Sequence, residues 1–336
     1  LEGLVGGLEA VIINTQADRL GLATQELLIN TGLTFTEAFA DPDFTTYLLQ
    51  APGCADFILR SRISCANPFA TANDYPVGRR LPDSRLETFV FTCTDLMKYF
   101  ALQLKRGINF LTDSILEFPD YYFLQSKPSR FTGNSTGLVQ WKTGKKGNWR
   151  SATAKPLDRR MIKPDLPFLA DIGRLDHCAT RVRAQERDAA ILEFLNFTNY
   201  HFDFAVYVDS MNSITNVSRL GPNDFALVFT SGISPFVNEE TSGPTEKFAH
   251  THGPRVHHLA FDSRNVEIVV EGLRDHGQRF LENLVGSREE GLKQIFTVAS
   301  KNTLLVNEYI QRYDGFDGFF TKSNVTKLTR ATLNQD

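Results

Sequence analysis

Apolar and polar positions follow one order in two places along the chain. Residues 85–91 (Arg-Leu-Glu-Thr-Phe-Val-Phe) alternate and lead through Cys93-Thr94-Asp95 into apolar positions at helical spacing over 96–104. Gly107 interrupts that pattern, and an apolar run resumes at Ile108. The second copy reads Arg-Val-His-His-Leu-Ala-Phe over 255–261, then a helical pattern over 265–273, then Gly277, then Phe280-Leu281. A period of two predicts a strand, a period near 3.6 a helix, and the glycine a helix stop. The segments before each copy correspond too. Residues 7–11 precede a helical stretch at 20–29, as residues 174–178 precede one at 187–197. After the copies, residues 136–141 take the place of 304–309.

The repeat predicts an α+β protein of two tandem domains, residues 1–150 and 168–336. Between them, residues 151–167 read as an extended linker, since 155–167 carries three prolines and six charges. A chain of 336 residues is long enough for two hydrophobic cores. Its 27 Phe residues against 2 Trp predict aromatic interiors.

Charge narrows the range of functions. A formal net charge of −3 provides no field to attract a phosphate backbone, so no nucleic-acid partner is expected. The basic stretch 142–150 contains two glycines and reads as a solvated loop. No apolar stretch is long enough to span a bilayer, and the four cysteines lack metal-type spacing. These features lead us to expect a soluble, cytoplasmic protein with reduced thiols. The chain opens at Leu1 rather than Met, which leaves room for an upstream segment.

Aligning the two halves isolates the candidate chemistry. His177, His258 and Glu308 in the second half align with Ala10, Thr88 and Gln140 in the first. Two imidazoles and a carboxylate, with coordination positions left open, suit non-haem iron(II). One site per chain is therefore expected. Strand alternation turns only one of the adjacent His257 and His258 inward; with His258 inward, Val256 and Ala260 share its face and His257 points away. Glu308 lies in an apolar strand, where a carboxylate needs a metal or a cation, and Arg312 is a candidate ion-pair partner for it.

These residues resemble the 4-hydroxyphenylpyruvate dioxygenase family of the vicinal oxygen chelate superfamily. Leu175-Asp176-His177 resembles the family's first ligand strand, and Val256 to Phe261 its second, which supports His258 as the ligand. Lys293-Gln294-Ile295-Phe296-Thr297 is similar to a Leu-Gln-Ile-Phe-Thr strand, and Glu308-Tyr309-Ile310-Gln311-Arg312 to a Glu-Ile-Ile-Gln-Arg run. Phe236-Val237-Asn238-Glu239 resembles a Pro-Ile-Asn-Glu stretch.

The resemblance implies two βαβββ-repeat domains, each an open, incomplete barrel with helices outside, the first non-catalytic and the second holding Fe(II). It also implies that a 2-oxo acid chelates the iron and is decarboxylated and hydroxylated with dioxygen, 4-hydroxyphenylpyruvate giving homogentisate. Gln294 and Asn238 would contact substrate and Phe316 would wall in its ring. A homodimer or homotetramer is expected.

Several positions depart from the family and bear on the substrate. His257 replaces a Gln, Thr180-Arg181 replaces a Gly-Asn pair, and residues 317–323 replace a Gly-rich motif before a closing helix. The interval from His258 to Glu308 also looks short. An extradiol catechol dioxygenase and a non-catalytic binding protein on the same fold are the competing expectations.

Overall fold

The strand and helix predicted for each copy belong to a larger unit, a strand, a helix and three further strands, which occurs four times. The structure, a computed structural model, describes residues 1–316 and 318–334. The first unit is β1 (Val5–Asn14), α1 (Leu20–Asn30), β2 (Thr34–Ala40), β3 (Phe44–Gln50) and β4 (Asp56–Arg62). A short α2 (Ala70–Asn73) leads to the second: β5 (Arg85–Cys93), α3 (Leu96–Lys105), β6 (Leu116–Glu117), β7 (Tyr121–Gln125) and β8 (Ser135–Trp141). After β9 (Lys155–Pro156), the third is β10 (Ile172–Arg181), α4 (Arg187–Phe197), β11 (His201–Val208), β12 (Ser213–Arg219) and β13 (Ala226–Ser231). Helix α5 (Pro244–His252) precedes the fourth: β14 (Arg255–Ser263), α6 (Val266–Asp275), β15 (Val285–Ser287), β16 (Leu292–Phe296) and β17 (Val306–Arg312). Helix α7 (Lys322–Ala331) follows.

Two units make one open sheet. The strand orders are β6-β7-β8-β5-β1-β4-β3-β2-β9 and β11-β12-β13-β10-β14-β17-β16-β15. In each sheet the two units meet through an antiparallel central pair, β1 with β5 and β10 with β14. Within the residues expected to link the halves, Lys155–Pro156 extends the first sheet by pairing with β2. Lys163 donates to the carbonyls of Thr31 and Leu33.

Local signals explain the helices. The Asp95 and Asn265 carboxyl and amide oxygens cap α3 and α6 by accepting from the backbone of Lys98 and Ile268. Val266, Val269, Val270 and Leu273 put one apolar stripe of α6 into the core, at about 2 kcal/mol each. Gly107 and Gly277 end the two helices at φ +76° and +83°, a conformation that costs a side chain dearly and glycine little.

One face of each sheet joins the helices in a single apolar core running through both halves, in which Phe57 stacks on Phe261. The other face encloses a separate interior. In the first half that interior is filled by Ala10, Ile12, Val90, Val139, Tyr121 and Trp149. Trp149 is buried there and donates to Asp56, so the basic stretch is only partly a solvated loop; its Lys146 and Arg150 pair with Glu9 and Glu37.

The halves are also tied by two fully buried arginines at equivalent strand starts. Arg85 donates to Pro254 O, and Arg255 donates back to Ser84 O. Arg85 further serves the carbonyls of Gly133, Ala72 and Thr132.

Candidate metal centre

Strand register brings the three expected ligands together. His177 on β10 lies opposite Ala260 on β14, and Ala260 lies beside Glu308 on β17; His258 lies opposite Ala179. The side chains of 177, 258 and 308 therefore project from one face of three adjacent strands. All three are buried, and one ligand atom from each lies within 4.8 Å of the others.

This arrangement fits a divalent cation. Both His177 Nε2 and His258 Nε2 stand 3.2 Å from Glu308 Oε2. Ligands at right angles on metal bonds of about 2.1 Å would stand about 3 Å apart. Glu308 Oε1 has no hydrogen-bond partner, which is costly for a buried polar atom unless an ion takes it. Burial works against the charged imidazole of His177, yet Glu308 and Asp176 outweigh it and raise its pKa to about 9. Burial, with repulsion from His257, His177 and Arg181, holds His258 well below the imidazole range. A metal ion would displace the His177 proton and satisfy the same carboxylates.

Two β-bulges turn neighbours of the ligands toward the site. The register slips between Leu175 and His177, and Asp176 Oδ2 stands 2.7 Å from His177 Nδ1. It slips again between Ala179 and Thr180 opposite His257, whose Nδ1 stands 2.8 Å from His258 Nδ1. His257 thus does not point away, as simple alternation predicts, because a bulge re-aims its side chain. The outer nitrogen of each ligand histidine has a partner, leaving both Nε2 atoms for the metal.

Arg312 does not pair with Glu308. Its guanidinium forks onto Asp176 at 2.7 and 3.0 Å, which locks the carboxylate that orients His177. Replacing Arg312 with Gln is expected to weaken iron(II) binding by about 10- to 100-fold in a chelator competition without unfolding the protein.

A cavity of about 50 Å³ adjoins the cluster. His258, Glu308, Phe296 and Phe320 form one wall, hydroxyls of Ser213, Thr215, Thr230 and Thr245 another, and Val325, Leu328 and Thr329 of α7 the cover. Gln294 lines it fully buried, with neither amide atom hydrogen-bonded. The other two expected substrate contacts lie elsewhere. Asn238 is exposed and caps a turn by accepting from the backbone of Glu240 and Thr241. The Phe316 ring packs on Gly291 and Gly318 outside the cavity. Phe319 and Phe320 stand beside the cluster instead, with ring centres 5.4 and 5.1 Å from His177, and of the two Phe320 lines the cavity. The chain reaches them through left-handed backbone at Asp314, Gly315 and Phe319. Asp317 lies outside the described residues.

The equivalent place in the first half is closed. Ala10 and Thr88 correspond to His177 and His258, as aligned, but register assigns Gly137 to the position of Glu308. Gln140 instead corresponds to Gln311, since the two side chains accept equivalent bonds from Leu96 N and Val266 N. A side chain at Gly137 would meet Thr88 and the Phe123 ring, and Gln125 donates to Thr88 across the gap.

No protein-family model matches the chain, and no curated protein sequence matches it. Solved structures do. A triply substituted variant of 4-hydroxymandelate synthase from Streptomyces coelicolor superposes with a TM-score of 0.69 at 17% identity, over 97% of this chain and 99% of that one. A xylose isomerase-like TIM barrel/4-hydroxyphenylpyruvate dioxygenase fusion protein gives 0.65 at 15% identity over 99% of this chain. The match covers 53% of the fusion, so the chain spans about half its length. What is shared at these identities is the fold.

Proposed function

From a fold shared with 4-hydroxymandelate synthase and a 4-hydroxyphenylpyruvate dioxygenase fusion, we propose that this chain is an iron(II)-dependent dioxygenase acting on a 2-oxo acid. The buried His177, His258 and Glu308 cluster, with its unpartnered Glu308 Oε1, carries the proposal. Iron(II) held by His177, His258 and Glu308 would supply open coordination positions for the chelating oxo acid and for dioxygen. Overall, the acid loses carbon dioxide and gains both oxygen atoms, one in the new carboxylate and one as hydroxyl. The substrate supplies all four electrons, so no separate reductant is needed. The family resemblance makes 4-hydroxyphenylpyruvate, oxidised to homogentisate, the first substrate to test.

The chain's own residues have distinct tasks in this reading. Asp176, fixed by Arg312, accepts the His177 Nδ1 proton and directs Nε2 inward. His257 does the same for His258. Gln294 offers an amide to the substrate's polar atoms, while Phe296 and Phe320 exclude water from the reacting face. Helix α7 closes the cavity over them. Among the described residues, no helix is long and apolar enough to cross a membrane.

Anaerobic addition of a 2-oxo acid to the iron-loaded protein is expected to produce a visible charge-transfer band, absent when the acid lacks the keto group. A band of equal strength with a catechol and none with any oxo acid would favour ring cleavage instead.

A further inference from the structure

One charged group facing the cavity has no counter-ion. Arg181 ends β10 on the face that carries His177 and Ala179, and it is 5% exposed. Among the described residues its guanidinium makes no ion pair within 4.0 Å and no side-chain hydrogen bond, and it lies over the Phe248 ring, 4.6 Å away. Burial alone pushes its pKa down to about 9. Isolating a cation in this way is costly, and an anion bound beside it recovers the cost.

Arg181 and Thr332 line both the cavity beside the metal ligands and a second cavity of about 130 Å³, whose far wall includes Lys247 and His252. Glu239 also lines this second cavity but does not pair with Arg181. Around Arg181 the inner cavity presents Thr230 and Thr245 hydroxyls and the unpartnered Gln294 amide. Arg181 lines the same cavity as His258 and Glu308, so the guanidinium and the candidate metal ligands can meet opposite ends of one short molecule.

Building on the dioxygenase reading, we infer that Arg181 binds a second anionic group, at the end of the substrate remote from the 2-oxo acid, so that the substrate is a short 2-oxo dicarboxylic acid. Arg181 is then a specificity residue. Its forked donors match a carboxylate, whereas a phenol would leave the charge uncompensated.

Calorimetric binding of 2-oxoglutarate and 2-oxopentanoate to the iron-loaded protein, without oxygen, tests this. The diacid is expected to bind about tenfold or more tightly than the monoacid of equal length. Arg181→Gln should erase the difference while sparing the monoacid, and Arg181→Lys should restore part of it. Equal affinities in the unaltered protein, or equal weakening of both acids by Arg181→Gln, would overturn the inference. Glutarate and pentanoate on the metal-free protein separate the two readings. A diacid preference there supports Arg181 whatever the metal does, and its absence counts against Arg181. Oxo-acid binding that iron does not strengthen counts against the dioxygenase reading alone.

Discussion

Glu308→Gln is expected to lose iron(II). The amide keeps the shape and one oxygen donor but removes the only negative charge among the three ligands, in a place where Glu308 is 1% exposed. Breaking a buried charge pairing costs about 3 kcal/mol or more, which is over a hundredfold in affinity. Turnover should fall below detection at iron concentrations that saturate the unaltered protein. Stoichiometric, tight iron in Glu308→Gln would mean that the metal, if any, is held elsewhere.

The second large effect concerns the joint between the halves. Arg85→Met leaves the carbonyls of Gly133, Thr132 and Pro254 and the Asn73 amide oxygen, all buried, and the partly buried carbonyl of Ala72 without their shared donor. Each stranded acceptor costs about 1 kcal/mol or more, and losing the desolvated charge returns only part of the sum. A drop of about 4 kcal/mol in unfolding free energy is expected, a large share of a typical total. Arg255→Met should cost far less, because Arg255 makes one backbone bond and leaves Nε and Nη1 unpartnered. Urea midpoints that fall equally in both variants would refute the asymmetry.

The strands and the positions of the three clustered side chains were legible because alternation and helical spacing are local properties of the chain. Comparing the halves added the contrast between His177, His258 and Glu308 and their apolar or neutral counterparts. The repeat was easier to see than its register. Gln140 stands three residues past Gly137, and only the pairing of β8 with β5 shows which of them faces the Glu308 position.

What stayed hidden arises from non-local geometry. Simple alternation turns Asp176 and His257 away from the site, and two bulges reverse that; a period-two reading contains no sign of an extra residue. The bonded Asp-His neighbours were the available signal, since a carboxylate beside a ligand histidine often orients it. Arg312 shares a strand with Glu308, yet its side chain reaches across to Asp176. The resemblance pointed to Phe316, which lies in a loop where left-handed backbone at Asp314, Gly315 and Phe319 brings other rings to His177. Arg181 registered only as a departure from a family pattern, because lack of a counter-ion is visible in space alone.

The most direct test is to load the purified protein with iron(II) anaerobically, then admit oxygen with 4-hydroxyphenylpyruvate, 2-oxoglutarate and other 2-oxo acids, following oxygen uptake and carbon dioxide release. One acid is expected to consume oxygen and release carbon dioxide in equal amounts, with neither seen in His258→Ala. Oxygen uptake without carbon dioxide, or no uptake from any oxo acid by protein that holds one iron per chain, would contradict the account.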